Sequence, residues 1–209
     1  GFTRVSSMFE NCTSLTTVGN VRFEHMTSME YTFDGCRSLT TIGNVYAPKV
    51  VNLAWTFHNC ESIVTMPSVT LSNLARTFYS SFNNCRSLQS CPIVSSLDNA
   101  TNCENMFSNC HALSAFPTFS ASKVTTIASM FYGCDSLTGS IPSYDFRNVN
   151  DCKYAFAGCT ALSGGILDTY DRFMSYEIQP TVYTHCFQNC GIGTQTGSAE
   201  LAQIPSDWK

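Results

Sequence analysis

Twelve cysteines and four histidines are the side chains with the most chemistry to offer in this chain of 209 residues. Thiolates and imidazoles are the usual protein ligands of zinc, and a Cys–His pair can supply a nucleophile with its base. The spacing supports neither. No C-x-x-C pair occurs, and the one cluster with ligand character, His185-Cys186…Cys190, lacks the pairing that zinc sites usually have. His25, His58, His111 and His185 fall at unrelated distances from the cysteines, so no segment gathers a base beside a nucleophile. Asp168, Asp171 and Glu177 are close enough in sequence to form a carboxylate pair, but their segment reads as a solvated loop. No glycine-rich phosphate loop is present. The chain is read as a non-enzyme that needs neither metal nor cofactor.

The cysteines are informative instead because they are periodic. Eight of them, Cys12, Cys36, Cys60, Cys85, Cys110, Cys134, Cys159 and Cys190, each close an F-x-[NG]-C string, at intervals of 24, 24, 25, 25, 24, 25 and 31 residues. Self-similarity at this period predicts a solenoid whose rungs bury their apolar faces against their neighbours. Three residues before each cysteine stands a phenylalanine, from Phe9 to Phe187, and three after it a Leu or Ile from Leu15 to Leu162. Two further apolar columns run from Val18 to Ile166 and from Val5 to Tyr183. All should face inward and stack at about 4.8 Å, giving a rod of about 40 Å. Cys91, Cys103 and Cys152 occupy the same inward slots as Ile, Leu and Val, so cysteine here reads as a small hydrophobe and the thiols as buried and free.

The residue before each repeat cysteine is always Asn or Gly: Asn11, Gly35, Asn59, Asn84, Asn109, Gly133, Gly158 and Asn189. Those two residue types tolerate positive φ best, so each rung should turn there in a left-handed conformation. A second corner is expected at Gly19, Gly43, Pro67, Pro92, Pro117 and Pro142. The stretch from cysteine to that corner, such as Cys36 to Ile42, reads as a short strand, and the stretch before phenylalanine as a helical turn. From Ser198 to Ile204 a serine cap, a short apolar stripe and Pro205 suggest a helix that, with Trp208, covers the last rung. The division is thus residues 1–190 as about eight rungs of 24–25 residues, with an insert at about 167–183, and 191–209 as a C-terminal cap.

Met130-Phe-Tyr-Gly-Cys-Asp-Ser-Leu-Thr138 with Ile141-Pro142, and Met8-Phe-Glu-Asn-Cys-Thr-Ser-Leu-Thr-Thr-Val18, resemble the BspA-like class of leucine-rich repeat, rung by rung over residues 1–166. The resemblance implies a right-handed solenoid with a parallel β-sheet on one face. It also implies an extracellular setting, on a bacterial cell surface or a bacteriophage virion, as in adhesins, mycoplasma lipoproteins and phage fibre-like proteins. It carries no catalytic residues.

Composition narrows the partners. Charged residues are only 12% of the chain and the net charge is −4, so the basic patch of a nucleic-acid binder is missing. No apolar run approaches the roughly 18 residues of a membrane span. Gly1 falls in mid-repeat without a Met, which reads as the C-terminal part of something longer. Protein or cell-surface glycan is the expected partner. The most varied column follows each cysteine: Arg37, Glu61, Arg86, His111 and Asp135, at the edge of the expected sheet. A second candidate is the column five before cysteine, with Tyr31 and Trp55, which suit sugar stacking or protein anchoring as well as packing between rungs. The third is the insert, with Asp168, Tyr170 and Arg172. Two functions follow: a non-catalytic recognition or adhesion module, or a structural spacer or phage capsid or fibre component contacting neighbouring virion subunits.

Overall fold

The computed structural model describes residues 6–66, 69–71, 74–91 and 97–209; Val5, Pro67 and Pro92 lie outside them. The repeats, numbered 1 to 8 by their cysteines, lie one on the next in parallel, offset by one repeat length. Strand β1 (Thr17–Val18) pairs with β3 (Thr41–Ile42), placing Thr17 opposite Thr41. Strands β2 (Val21–Arg22), β4 (Val45–Ala47) and β5 (Val69–Leu71) form a second parallel sheet in the order β2-β4-β5. Beyond these short strands, a line of single-residue parallel bridges joins Ser28, Asn52, Thr77, Asn102, Thr126, Asp151 and Val182 in succession.

The segment before each cysteine satisfies its backbone in an alternating way, as repeat 3 shows. The N–H groups of Leu53, Trp55, Phe57 and Asn59 donate to Thr77, Tyr79, Ser81 and Asn83 of repeat 4, at 2.9–3.0 Å. Those of Thr56, His58 and Cys60 turn back to the carbonyl three residues earlier. The remaining one, on Ala54, donates to the Asn52 side chain at 2.9 Å. Every donor from 53 to 60 therefore has a partner, as burial requires, without a strand or a helix. This replaces the helical turn expected before phenylalanine: a continuing helix would direct its N–H groups along the chain, whereas half of these are committed to the next repeat.

Left-handed residues make the alternation possible. All eight residues preceding the repeat cysteines have positive φ, from 55° at Asn189 to 77° at Gly158. A second column, five before cysteine, does too: Ser7, Tyr31, Trp55, Ser80, Asn105, Ser129, Tyr154 and His185, at 52–61°. From Tyr31 onward each sits at the third position of a four-residue turn, where a positive φ reverses the chain. The expected strand from Cys36 to Ile42 shrinks to Thr41–Ile42, because Leu39 N donates to Cys36 O at 3.0 Å and closes another turn.

The inward columns form one continuous core. The phenylalanine rings stack in register from Phe9 to Phe187 with centroids 5.2–5.8 Å apart, wider than strand spacing and within the range that offset rings prefer. Eleven of the twelve cysteines are buried; Cys12 is exposed, and all are free thiols. The repeat thiols are more than small hydrophobes. Each Sγ from Cys36 to Cys159 lies 3.0–3.2 Å from the phenylalanine carbonyl of the preceding repeat and donates to it.

The insert is ordered. Helix α1 (Ile166–Ser175) buries Ile166, Thr169 and Phe173, so the expected loop is a helix packed on the core. Helix α2 (Gln195–Gln203) begins earlier than expected: Thr194, not Ser198, is the cap, its hydroxyl accepting from Gly197 N at 3.0 Å. The Glu200 carboxylate of α2 accepts from Ile166 N and Leu167 N at 2.8 and 3.2 Å, capping α1, whose own N-cap, Gly165, has no side chain. A final 3-10 turn, Ser206–Trp208, takes the place of a ninth rung. His185 N donates to Asp207 O and Phe187 N to Trp208 O, while the buried indole stacks on Tyr183 at 4.6 Å.

Candidate functional site

The column after the cysteines lies along the outside of the stack, and its charges meet one another. Arg37 Nε is 3.7 Å from Glu61 Oε1, and His111 Nδ1 is 3.3 Å from Asp135 Oδ2; Arg86 is exposed between these pairs. Pairs this exposed contribute at most about 1 kcal/mol each to stability, so they tune the surface more than they hold the fold.

The column five before cysteine projects outward as well. Tyr31 stacks on Trp55 at 4.7 Å with the rings 9° from parallel, and Tyr79, from the neighbouring column, meets Trp55 edge-on at 4.6 Å. Partial burial, with the Glu30, Asp34 and Glu10 carboxylates nearby, pushes the Tyr31 phenol above its ordinary value and keeps it a neutral donor. These three half-buried rings form a platform on repeats 2 to 4, so the alternatives of packing between rungs and facing outward are both realised.

Farther along, the same column carries small residues, Ser80, Asn105 and Ser129, and a groove opens there. It is an open groove with about 560 Å³ of space over its floor. Asn83, Asn109, Ser108 and Gln188 line it with Asn105 and Ser129, and Tyr132 and Tyr154 stand edge to face at 6.2 Å. Tyr154 in turn lies flat on His185 at 5.3 Å, with Lys153 Nζ over its ring.

Residues 3–114 and 101–171 match the family model described as Mycoplasma protein of unknown function, DUF285. The chain belongs to this family. No curated protein and no solved structure matches it. The match runs through the aromatic platform and the groove up to Tyr154 and ends within α1; Gln188, α2 and the closing turn lie beyond it.

The insert candidates serve packing. Asp168 pairs with Arg172 across one helical turn at 3.3 Å, and the Arg172 guanidinium also donates to Pro142 O and to the Thr169 hydroxyl. Tyr170 meets Trp208 edge-on at 5.3 Å. Arg172 thus fastens α1 to repeat 6 and Tyr170 to the closing turn, while Asp168 is exposed and pairs only within the helix.

Cysteine and histidine chemistry is dispersed. Cys186 points inward, where burial and the adjacent Cys152 thiol push its pKa up, whereas His185 points outward onto Tyr154. Among the described residues no group of three or more His, Cys, Asp or Glu comes together to hold a metal ion. His58 Nδ1 faces Asp34 at 2.9 Å, and the neighbouring Cys60 thiol is turned inward onto a carbonyl. The groove was missed by sequence reading. Its signal is the run of uncharged amides and hydroxyls two and five before cysteine, visible only once both columns are known to face outward.

Proposed function

We propose that this chain is a non-catalytic recognition module, a BspA-like leucine-rich-repeat solenoid displayed on a bacterial cell surface or a virion, binding protein or glycan across its outer face. The supporting observation is the aromatic platform of Tyr31, Trp55 and Tyr79, held half-exposed on a backbone whose hydrogen bonds are already committed to the next repeat. Such a surface loses little conformational entropy on binding, and half-exposed Trp and Tyr are the residue types that dominate interface energetics. Arg37, Glu61, Arg86, His111 and Asp135 would add the charge pattern that selects a partner. The family match is compatible with this reading and assigns no activity of its own.

The full chain and its Trp55→Ala, Arg37→Ala and Arg86→Ala variants should be applied to arrays of glycans and of purified cell-surface proteins. The proposal expects a specific binder whose signal falls by about tenfold or more with Trp55→Ala, the effect of a hot spot worth about 1.4 kcal/mol or more. A chain that binds nothing on either array is not a recognition module.

A structural spacer or a capsid or fibre component is the second reading. It is favoured by the uninterrupted phenylalanine stack and by edge charges that pair between neighbouring repeats. Concentration-dependent self-association in sedimentation, with no binder on the arrays, would select it.

A further inference from the structure

We propose that the groove along repeats 4 to 8 is a subsite for a neutral oligosaccharide, a proposal that rests on the recognition reading above and gives it a ligand class.

Three observations carry it. First, no residue that lines the groove bears a formal charge, although the columns on either side of it do. A ligand in the groove therefore meets neutral donors and acceptors, with the charge of Lys153 Nζ standing 5.2 Å above the Tyr154 ring. Second, the carboxamides of Asn83, Asn105 and Gln188 make no side-chain hydrogen bond to another described residue. Other amides are used internally: Asn84 Nδ2 donates to Asn59 Oδ1 at 3.0 Å, and Asn52 and Asn102 each accept a backbone N–H at 2.9 Å. The groove amides therefore present paired donors and acceptors to an outside partner, the complement of vicinal sugar hydroxyls. Third, Tyr132 is 42% exposed and stands beside Tyr154, giving an exposed aromatic ring against which the C–H face of a pyranose packs.

The repeat geometry adds register. Asn105, Ser129 and Tyr154 occupy one column on successive repeats, all at positive φ, with their N–H groups bonded to Ala128, Lys153 and Thr184 of the following repeat. Their side chains are thus presented at intervals of about one strand spacing, 4.8 Å, close to the length of one pyranose unit. A polymer of neutral sugars is the ligand whose own repeat follows that of the protein.

The test uses the full chain, isotopically labelled, with maltotetraose, cellotetraose and the N-acetylglucosamine tetramer as neutral probes. A heparin-derived tetrasaccharide is the acidic probe, and affinities are followed by NMR titration. The expected result is that a neutral probe binds more tightly than the acidic one and shifts the side-chain amides of Asn83, Asn105 and Gln188. Tyr132→Ala, with an unchanged melting temperature, and Asn105→Ala, which lowers the melting temperature through its positive φ but leaves the chain folded, should each weaken it by about tenfold, equivalent to about 1.4 kcal/mol. If the acidic probe binds more tightly, or no neutral probe binds, the proposal is overturned. Binding that survives Tyr132→Ala and Asn105→Ala but is lost in Trp55→Ala would overturn the groove assignment and leave the recognition reading standing. Failure of every sugar here, together with silence on the surface-protein array, would overturn both.

Discussion

The Sγ of Cys60 donates to the carbonyl oxygen of Phe33, one repeat away, at 3.2 Å. The same carbonyl accepts the backbone N–H of Cys36 at 3.2 Å, so its two lone pairs serve one contact within its repeat and one to the next. Apolar side chains of similar size, which fill the other inward slots, cannot donate, and this explains why cysteine recurs at this position while Ile, Leu and Val exchange with it elsewhere. Cys60→Ala should cost about 1–3 kcal/mol, from the lost donor and the space left behind, in urea denaturation. Cys103→Val, in a column that holds Leu53 and Ile127, should cost clearly less. Equal losses would show that the thiol donor contributes nothing beyond volume.

Burial of the thiols also predicts an alkaline limit to stability. Burial pushes Cys103 up to about 12, and it raises Cys85, Cys110, Cys134 and Cys159 above their ordinary value, with neighbouring thiols adding to the rise for Cys85, Cys110 and Cys159. A raised folded-state pKa means that the folded chain holds these protons after the unfolded chain has released them. The contribution is complete below the unfolded value of about 8.5 and is lost as pH rises toward the folded one, by about 1.4 kcal/mol per pH unit for each thiol. Denaturation midpoints should fall steadily above about pH 9, less steeply in Cys103→Val. Thiol titration at neutral pH should find Cys12 reactive in the folded chain and all twelve after denaturation.

Gly133 shows how turn geometry and stacking combine. Its φ is 68°, and a Cβ there would lie 2.9 Å from Asn109 Oδ1 in the preceding repeat. Gly133→Val meets both penalties, and the backbone part alone is about 1–2 kcal/mol. Gly133→Asn keeps a residue that this column accepts, as the Asn84–Asn59 side-chain pair demonstrates. Melting temperatures should rank Asp135→Ala nearly unchanged, Gly133→Asn lower and Gly133→Val lowest. A Val variant as stable as Asp135→Ala would contradict the left-handed assignment.

The contrast between the two left-handed columns shows what the sequence could and could not reveal. Asn or Gly before every repeat cysteine points to positive φ because residue type and backbone agree at that position. Five before cysteine, Ser, Tyr, Trp, Asn and His adopt the same conformation, and nothing in their chemistry announces it. There the hydrogen bonds of the stack, not local preference, hold the backbone. The turn-capping column of Ser28, Asn52, Thr77, Asn102, Thr126 and Asp151 was legible in principle, since each residue type accepts an N–H two positions on. Helix α1 was hidden for a different reason. Its N-terminal N–H groups are capped by Glu200, more than thirty residues away, so the local sequence carries no start signal. Glu200→Ala should therefore loosen α1 more than α2, read as faster amide exchange from Ile166 through Phe173.

The closing turn predicts a directional effect. Trp208 is 4% exposed and covers the last ring of the stack, Phe187, at 6.1 Å. In a stack whose repeats touch only their neighbours, damage at one end frays that end first. Trp208→Ala, costing about 3–5 kcal/mol for a buried tryptophan, should accelerate amide exchange in repeats 7 and 8 while repeats 2 to 4 remain protected. Uniform loss of protection would mean that the chain unfolds as one unit.

Recognition and stability separate most cleanly at Arg37 and Trp55. The Arg37 side chain is 66% exposed and its contact with Glu61 is long, at 3.7 Å, so Arg37→Ala should change stability by no more than about 0.5 kcal/mol. Trp55 is stacked between Tyr31 and Tyr79, and its removal should cost about 1–3 kcal/mol in folding free energy while exposing those two rings. Any partner affinity lost in Arg37→Ala therefore reports on the surface itself. An affinity lost only in Trp55→Ala must be compared with Trp55→Phe, which keeps a stacking ring at the same left-handed position. Recovery of both stability and binding by phenylalanine would assign the platform a role in packing and recognition together. Recovery of stability without binding would single out the indole as the group that the partner reads.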